Sequence, residues 1–391
     1  MKALGHSPVL ATCEFYRDMV TSAGIDFQPM SPDVNPDDTA LIARVMDPAH
    51  GTEVIVREMI GPHVREAFGQ LRDAAVDADL IVTHPVAFAA PLVARSLNRR
   101  WLSAVLAPAS MFSLSDFPVF PPFVGVLRLV RKATWSARAF MALGRRVTDP
   151  WVKPVRDLAA ELGIGRTGHP LYEGQFSPFG TLALFSPVLG PPQPDWPPHA
   201  VATGFVFHED GQDLDARLRE FLDAGEPPIV FTLGSSAAGA PGRFWDESLK
   251  AATRLKCRAV LLVGRGDRPG TTSSTDVCTV DYAPHAALFA RAAAVVHHGG
   301  VGTTAQALRA GTPMLVVPHA HDQSDNAFRV SRLGVARVLD AARYRASAAA
   351  THLRRLTTNA PYRRRAAEIG AIVGSERGTE RACELILAAC S

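Results

Sequence analysis

The stretch AVVHHGGVGTTAQALRAGTPMLVVP, residues 294–318, contains the pattern that decides the fold. An apolar run ends at His297 and His298, and the glycines that follow give the backbone the freedom that a tight turn needs. Threonines then open a helical pattern that Gly311 ends, and Pro313 precedes a second apolar run. A strand, a glycine-rich turn, a helix and a further strand in this order predict a βαβ unit with parallel strands.

The glycine-rich turn also predicts a binding site for phosphate. Backbone N–H groups at the start of a helix attract anions, and a histidine beside them adds a further donor. The pattern matches neither the dinucleotide fingerprint G-x-G-x-x-G nor the GKS/T loop of ATP sites, so it predicts neither ligand. The alternative is an ordinary glycine-rich turn with two surface histidines, and the density of the cluster favours the phosphate site.

Apolar runs and helical patterns alternate on both sides of this stretch. Strands are predicted at residues 8–12, 25–29, 80–83, 101–106, 229–233, 259–263, 277–281, 294–297, 314–318 and 336–339. Helices are predicted at residues 53–75, 126–162 with breaks at Pro150 and Pro154, 243–255, 286–290, 303–310, 325–333, 351–373 and 376–389. Between the halves, PVLGPPQPDWPP at residues 187–198 interrupts helix and sheet alike. The sequence therefore predicts an α/β protein of two doubly wound domains that face a central cleft.

The composition excludes several classes of protein. The 391 residues are 47% hydrophobic and 20% charged, which fits folded domains and excludes disorder. The formal net charge of +3 is too small for a nucleic-acid-binding protein. No apolar run reaches the ~20 residues that an integral membrane span needs. The five cysteines are widely spaced without a C-x-x-C pair, which favours a reducing, cytoplasmic location.

The motif HHGGVGTT, followed by GTP and then by HDQ at residues 321–323, resembles the donor-binding signature of family 1 glycosyltransferases, which use nucleotide sugars. The resemblance extends from about residue 231 to residue 339. It implies the GT-B fold, with two Rossmann-like domains. It also implies an acceptor-binding domain at residues 1–186, a proline-rich linker at 187–204, a donor-binding domain at 205–365, and a C-terminal helix at 366–391 that packs back on the first domain.

The resemblance implies a donor site built from four segments of the second half. In chain order, its residues are Gly234, Ser235, Tyr282, Ala283, His285, His298, Gly300, Gly302, Thr303, Gln306, Asp322 and Gln323. His298 matches the histidine that contacts the diphosphate, with the glycine loop and Thr303 around it. Gly234 and Ser235 match the strand-end turn that faces the phosphates from the other side.

The remaining donor residues match the contacts to base, ribose and sugar. Tyr282 would stack under the base, and the backbone of Ala283 would hydrogen-bond to it. His285 and Gln306 stand where many members of the family carry glutamine and glutamate, respectively, for the ribose. Asp322 and Gln323 match the pair that binds the hydroxyls of the donor sugar. The alternative for that pair is a cap on the helix that follows.

The resemblance implies an inverting transfer of a sugar from a nucleoside diphosphate sugar, of the UDP-glucose or dTDP-deoxysugar type, to a hydroxyl of an apolar acceptor. Preorganised donors such as His298 would stabilise the leaving diphosphate. No D-x-D pair suited to Mg²⁺ lies near these motifs, so neither a metal nor another cofactor is predicted. The alternatives are a nucleotide-sugar-binding homologue that is catalytically impaired, and a sugar-nucleotide epimerase of the same fold.

The first half matches the family only loosely. Residues 111–126, MFSLSDFPVFPPFVGV, are rich in phenylalanine and proline, and they form either a wall of an apolar acceptor pocket or ordinary loop packing. In the family, a strand and a turn that carries the general base come before a motif like Leu4-Gly5-His6. We expect this chain to lack them, to transfer sugar poorly, and to leave His84 as a weak substitute base.

Overall fold

The structure of the protein, a computed structural model, consists of three parallel sheets and the helices around them. It describes residues 1–208, 211, 213–234, 242–264 and 274–390. Every pair of neighbouring strands in these sheets is parallel, as the βαβ pattern of the sequence predicts.

The first domain carries two of the three sheets. Its strands are β1 (Val9–Thr12), β2 (Asp26–Pro29), β3 (Ile81–Thr83), β4 (Trp101–Val105), β5 (Thr181–Ala183) and β6 (Ala200–Ala202). Its helices are α1 (Arg17–Ser22), α2 (Thr39–Val45), α3 (Gly51–Glu53), a π-helical segment (Val54–Ile60), α4 (Gly61–Ala75), α5 (Ala90–Ser96), α6 (Val124–Val130), α7 (Thr134–Thr148) and α8 (Lys153–Glu161).

The two sheets of the first domain are separate. Strands β1 and β2 form one sheet, and β3, β4, β5 and β6 form the other in that order. Among the described residues, β1 has a strand partner on one side only, and so has β3. Val9 and Leu10 of β1 and Val82 of β3 are 52%, 46% and 45% exposed, whereas most of β4 is buried. The first domain therefore presents two strand edges with apolar side chains to solvent.

The second domain is a single doubly wound sheet in the order β12-β11-β10-β7-β8-β9. The strands are β7 (Ile229–Thr232), β8 (Ala259–Leu262), β9 (Val277–Val280), β10 (Ala294–His297), β11 (Met314–Val316) and β12 (Ala336–Val338). The helices are α9 (Ala216–Asp223), α10 (Phe244–Leu255), α11 (His285–Phe289), α12 (Val301–Arg309), α13 (Gln323–Arg332), α14 (Ala346–Thr358) and α15 (Ala360–Gly374), and α16 (Gly378–Cys390) follows. Strands β7, β8, β10 and β11 are buried along their whole length, which explains their unbroken apolar sequences.

The structure differs from the sequence prediction at several elements. It adds helix α9, and it interrupts the helix predicted at 126–162 between α6 and α7 as well as before α8. Strands β5 and β6 were not predicted, and β6 lies inside residues 187–204, so part of the predicted linker belongs to the first-domain sheet. Each of the two strands has only three residues, too few to show a period. The helix predicted at 351–373 is two helices, because Pro361 occupies the first turn of α15.

The C-terminal segment crosses from the second domain to the first. Gly370 of α15 packs against the second domain, where a Cβ atom would come within 2.7 Å of Gly311. Glu376 then accepts a hydrogen bond from Ser186 at 2.5 Å. Arg100, next to β4, donates to the carbonyl of Ala389 in α16 at 3.2 Å. The segment after α15 thus hydrogen-bonds to residues of the first domain at two points.

Candidate functional site

The glycine-rich loop joins β10 to α12, as the sequence predicts. His297 ends β10, and its Nδ1 accepts a hydrogen bond from the Gly299 N–H at 3.1 Å. Gly299 has a φ of 97° and lies so close to α13 that a Cβ atom would come within 3.0 Å of the Gln323 carbonyl. Gly300 is the N-cap of α12, and the Thr304 hydroxyl donates back to its carbonyl at 2.9 Å. The loop therefore holds the first N–H groups of α12 at the carboxyl end of the sheet.

His298 lies between two segments that the sequence assigns to the diphosphate. A Cβ atom on Gly234, after β7, would come within 2.5 Å of its Cε1, and one on Gly300 would overlap its Nε2. The φ of Gly234 is 61°, so a glycine is also required by the backbone. Burial lowers the pKa of His298 to about 3, with smaller contributions from His319 and His285. His298 is thus neutral at neutral pH, and its ring occupies space that the two glycines leave open.

His297 is fully buried, and burial lowers its pKa to about 3 from a usual 6.5. Between these two values the unfolded chain binds a proton that the folded chain does not, so stability falls as the pH falls below about 6.5. At pH 5 this amounts to about 2 kcal/mol for one such histidine. We expect His297→Asn, which keeps an acceptor for Gly299 but does not titrate, to lose less unfolding free energy between pH 7 and pH 5.

Urea unfolding at the two pH values measures this difference. The control is His208→Asn, because His208 is exposed. Equal losses for the wild type and His297→Asn would show that His297 does not contribute to the acid sensitivity.

Asp322 and Gln323 lie where the chain enters α13. The Asp322 carboxylate accepts a hydrogen bond from Asn326 Nδ2 at 2.8 Å, and burial raises its pKa to about 6. Although Asp322 is the N-cap residue, its side chain makes no capping bond, so the structure does not support the capping alternative. The side-chain Oε1 of Gln323 accepts hydrogen bonds from the backbone N–H groups of His319 and Ala320 at 2.8 and 3.1 Å. Gln323 therefore shapes the turn before α13 through its side-chain oxygen.

Asn326 is a residue of the site that sequence reasoning missed. Its Nδ2 donates to the Asp322 carboxylate and also to the Gly299 carbonyl, the latter at 3.0 Å. Its Oδ1 is buried without a partner among the described residues. The signal in the sequence was its position four residues after Asp322, on the same face of one helix. Asn326 therefore connects Asp322 to the glycine-rich loop.

The residues that the sequence assigns to the base and the ribose come from two neighbouring segments. Tyr282 and Ala283 precede α11, His285 begins α11, and Gln306 lies on α12. Tyr282 is 61% exposed, as a stacking platform requires, while Ala283 is buried. His285 stacks on Phe289 with the ring centroids 4.7 Å apart, and burial lowers its pKa. The Gln306 Oε1 is buried, and no described residue hydrogen-bonds to it. That amide oxygen is a free acceptor next to the loop.

Four further residues were predicted for the site, and they come from three different parts of the chain. Gly302 is exposed and Thr303 is buried, both in the first turn of α12. Ser235 lies outside the described residues. His84 follows β3, and its Nδ1 accepts from the Val86 N–H at 3.4 Å. His84 also borders a small cavity lined by first-domain residues, and its role as a base stays a prediction.

The phenylalanine-rich stretch at residues 111–126 shows both kinds of environment that the sequence left open. Phe117 and Val119 are buried in a small core with Leu127 of α6. Phe117 also packs edge-on against Phe140 of α7, with the ring centroids 6.0 Å apart. Phe123, by contrast, is 51% exposed. One part of the stretch is loop packing, and another part presents an aromatic ring to solvent.

A buried ionic network connects this stretch to α13 in the second domain. Asp325 accepts a hydrogen bond from the Val119 N–H at 3.0 Å and pairs with Arg329 at 2.5 Å. Arg329 also pairs with Asp116 at 2.5 Å, and Asp116 pairs with Arg131. Asp325 is fully buried, and Arg329 is 6% exposed. Helix α13 thus has Asp322 and Gln323 at its start and contacts the first domain through residues that follow on the same helix.

Comparison with known proteins places this architecture among the glycosyltransferases. Residues 246–381 match the family described as erythromycin biosynthesis protein CIII-like, C-terminal domain. O-mycaminosyltylonolide 6-deoxyallosyltransferase of Streptomyces fradiae is 32% identical over 413 residues, which cover 99% of this chain and 91% of that protein. Sterol 3-beta-glucosyltransferase of Aspergillus fumigatus is 27% identical over 408 residues, which cover 98% of this chain and 28% of that larger protein.

Solved structures show the same fold. Spinosyn forosaminyltransferase SpnP superposes with a TM-score of 0.71 at 21% identity, covering 100% of this chain and 93% of that one. Glycosyltransferase VinC in complex with dTDP superposes with a TM-score of 0.62 at 20% identity, covering 99% and 93%. The fold is therefore GT-B, as predicted from the sequence.

Fold and relatives define the protein as a nucleotide-sugar-dependent glycosyltransferase. Within that class, the chain belongs to glycosyltransferase family 1. The sequence predictions of family, fold class and glycosyl transfer are confirmed, and the comparisons do not favour the epimerase or the impaired homologue. Among the residues that the structure describes, no helix has both the length and the apolar composition needed to cross a bilayer.

Proposed function

We propose that the protein is an inverting glycosyltransferase that moves a sugar from a nucleoside diphosphate to a hydroxyl of an apolar acceptor, and that its donor site is the one described above. The observation that carries the proposal is the position of His298, between the β7 turn and the glycine-rich loop at the start of α12. These segments meet at the carboxyl end of the sheet, where open parallel sheets bind their ligands.

The chemistry follows from the donors that surround this point. As the anomeric C–O bond breaks, its electron pair moves to the diphosphate oxygen. The acceptor hydroxyl oxygen forms the new bond at the anomeric carbon and releases its proton to solvent. The N–H groups at the start of α12 and the neutral His298 ring would stabilise the charge that develops on the diphosphate. Because these donors are provided by the protein, we propose a transfer that needs no metal and no other cofactor.

Asp322 and Gln323 would orient the sugar of the donor. A carboxylate accepts hydrogen bonds from two neighbouring hydroxyls, and Asn326 fixes its direction. The Gln323 amide would donate to a further hydroxyl from the same side. Tyr282, Ala283, His285 and Gln306 would hold the base and the ribose.

For the acceptor, we propose an apolar molecule such as a polyketide, a sterol, a lipid or a phenolic aglycone. The relatives named above act, by their names, on a tylonolide derivative and on sterols. The phenylalanine-rich stretch is the part of the first domain that α13 holds against the donor side. We further propose that the protein works in the cytoplasm, since all five cysteines are free.

Two experiments test the proposed function. A thermal-shift screen of nucleoside diphosphates and sugar nucleotides identifies the donor, because selective binding raises the melting temperature. Product analysis with that donor and a panel of acceptors then detects a β-linked or α-linked glycoside of inverted configuration. Release of an epimerised sugar nucleotide from the donor alone, or donor binding without any transfer, would contradict the proposal.

Asp322 gives the proposed site a dependence on pH. Below about pH 6 its carboxyl becomes protonated and loses an acceptor for the sugar hydroxyls, so kcat/KM for the sugar nucleotide should fall toward acid. We expect Asp322→Asn to lower kcat/KM by roughly 10- to 100-fold and to abolish this acid limb. Steady-state kinetics between pH 5 and 8 measure both effects.

The control for this prediction is Asp246→Asn, because Asp246 is exposed on α10. Affinity for the free nucleoside diphosphate should stay close to the wild-type value in Asp322→Asn. An equal loss of affinity for the diphosphate and for the sugar nucleotide would assign Asp322 to the structure of the loop instead.

A further inference from the structure

Helix α7 has apolar side chains on both of its faces. Ala137, Phe140 and Met141 pack inward in the small core beneath the phenylalanine-rich stretch. On the opposite side, Trp135 and Leu143 are 74% and 58% exposed. At 3.6 residues per turn the two side chains lie about 80° apart around the helix and so belong to one outward face, and Val147, also exposed, lies at the margin of that face next to Phe140. The outward stripe is therefore a second apolar face that no other part of the described chain covers.

The preceding helix extends this face. Leu129 of α6 is 64% exposed, and α6 packs against α7. We call Leu129, Trp135, Leu143 and Val147, together with the cations between them, the α6–α7 surface. Single exposed apolar residues are ordinary, but a group of this size around an exposed tryptophan is typical of an interaction site.

The charge of the α6–α7 surface has one sign. Residues 117–148 contain six arginines and lysines and no aspartate or glutamate. Arg131 and Arg145 are neutralised by Asp116 and Glu173. The other cations include Lys132, Arg138 and Arg146, which are exposed and form no ion pair with any described residue. Arg138 and Arg146 lie three residues after Trp135 and three residues after Leu143, so each cation borders the apolar stripe.

We propose that the α6–α7 surface docks the protein on an anionic lipid surface. Tryptophan prefers the interface between headgroups and acyl chains, and aliphatic side chains insert beside it. Lysines and arginines at the border of such a stripe attract anionic headgroups. A second copy of the chain is a less suitable partner for the α6–α7 surface than an anionic lipid. A symmetric contact between two copies would bring the like charges of Arg138 and Arg146 together.

Docking through the α6–α7 surface would also affect a neighbouring segment of the first domain. The phenylalanine-rich stretch runs directly into α6, and its exposed Phe123 lies at the start of that helix. A surface bound through α6 and α7 would thus bring this stretch next to the lipid. The inference rests on exposure and charge alone and is independent of the proposed acceptor.

Flotation with lipid vesicles tests the inference on the full chain. We expect binding to vesicles of phosphatidylcholine containing about a third phosphatidylglycerol, weak binding to phosphatidylcholine alone, and release by ~0.5 M NaCl. Arg138→Glu/Arg146→Glu should weaken binding by at least roughly 30-fold, and Trp135→Ser/Leu143→Ser should weaken it on both kinds of vesicle. The matched control is Arg354→Glu/Arg363→Glu, with the same change of charge on exposed positions of the second domain.

A second measurement does not depend on how the double variants fold. Lipids brominated in their acyl chains should quench part of the tryptophan fluorescence of the wild type on binding. Trp135→Phe should bind similarly but lose most of this quenching, because the other tryptophans are far less exposed. Equal binding to neutral and anionic vesicles, binding unaffected by either double variant, or self-association through this surface without vesicle binding would each overturn the inference.

Discussion

His298→Ala is expected to lower kcat/KM for sugar transfer by roughly 10²-fold or more. The ring lies against both the turn after β7 and the glycine-rich loop, in space that a Cβ atom on Gly234 or Gly300 would take from it. Its N–H would point at charge that is present in the leaving diphosphate and grows in the transition state. The loss should therefore affect kcat as well as KM, and steady-state kinetics with the donor identified by the thermal-shift screen measure it.

His298→Gln tests whether an N–H donor at this position is sufficient for activity without the imidazole ring. A glutamine retains an N–H donor of similar reach, so part of the activity lost in His298→Ala should return. The control is His208→Ala, at an exposed histidine of the same chain. Transfer at the wild-type rate by His298→Ala would show that the diphosphate does not bind at this loop.

Arg329→Met is expected to reduce the unfolding free energy by about 3–5 kcal/mol. Asp325 has no exposed surface, and burial already raises its pKa although Arg329 opposes the shift. Without the guanidinium, a buried carboxylate would lack its counter-charge, and Asp116 would lose its partner in the second domain. Urea unfolding followed by tryptophan fluorescence measures the loss.

The double variant Asp325→Asn/Arg329→Met removes the unbalanced charge and should recover part of the stability. Arg332→Met is the matched control, because Arg332 is exposed on the same helix and should change stability by no more than about 0.5 kcal/mol. If Arg329→Met behaves like this control, the network does not hold the two domains together.

The sequence predicted those parts of the protein whose physics is local. Residues 294–318 contain a strand, a turn and a helix within one short stretch, and the glycines, the threonines and Pro313 each indicate a specific backbone conformation. Strands buried on both faces, such as β7 and β10, are recognisable by their unbroken apolar residues. Strand β6 is not, since its three residues become a strand only by pairing with β5.

The same distinction applies to the candidate site. His298 and Asp322 stand in motifs that can be recognised in a single chain, although their roles remain predictions. Asp116 and Arg329 are more than 200 residues apart, with nothing in either local sequence to connect them. Which carboxylate meets which guanidinium is decided by how two domains pack, and no periodicity or spacing encodes that choice.

The divided sheet of the first domain makes stability uneven along the chain. In the second domain β10 is hydrogen-bonded to a strand on each side, and opening it requires much of that sheet to open as well. Strands β1 and β3 each have one such neighbour in the described part of the protein, and apolar side chains of both already face water. Local opening should therefore begin in the first domain, at a smaller free energy than global unfolding. The half that is proposed to select the acceptor is then also the half that fluctuates more readily.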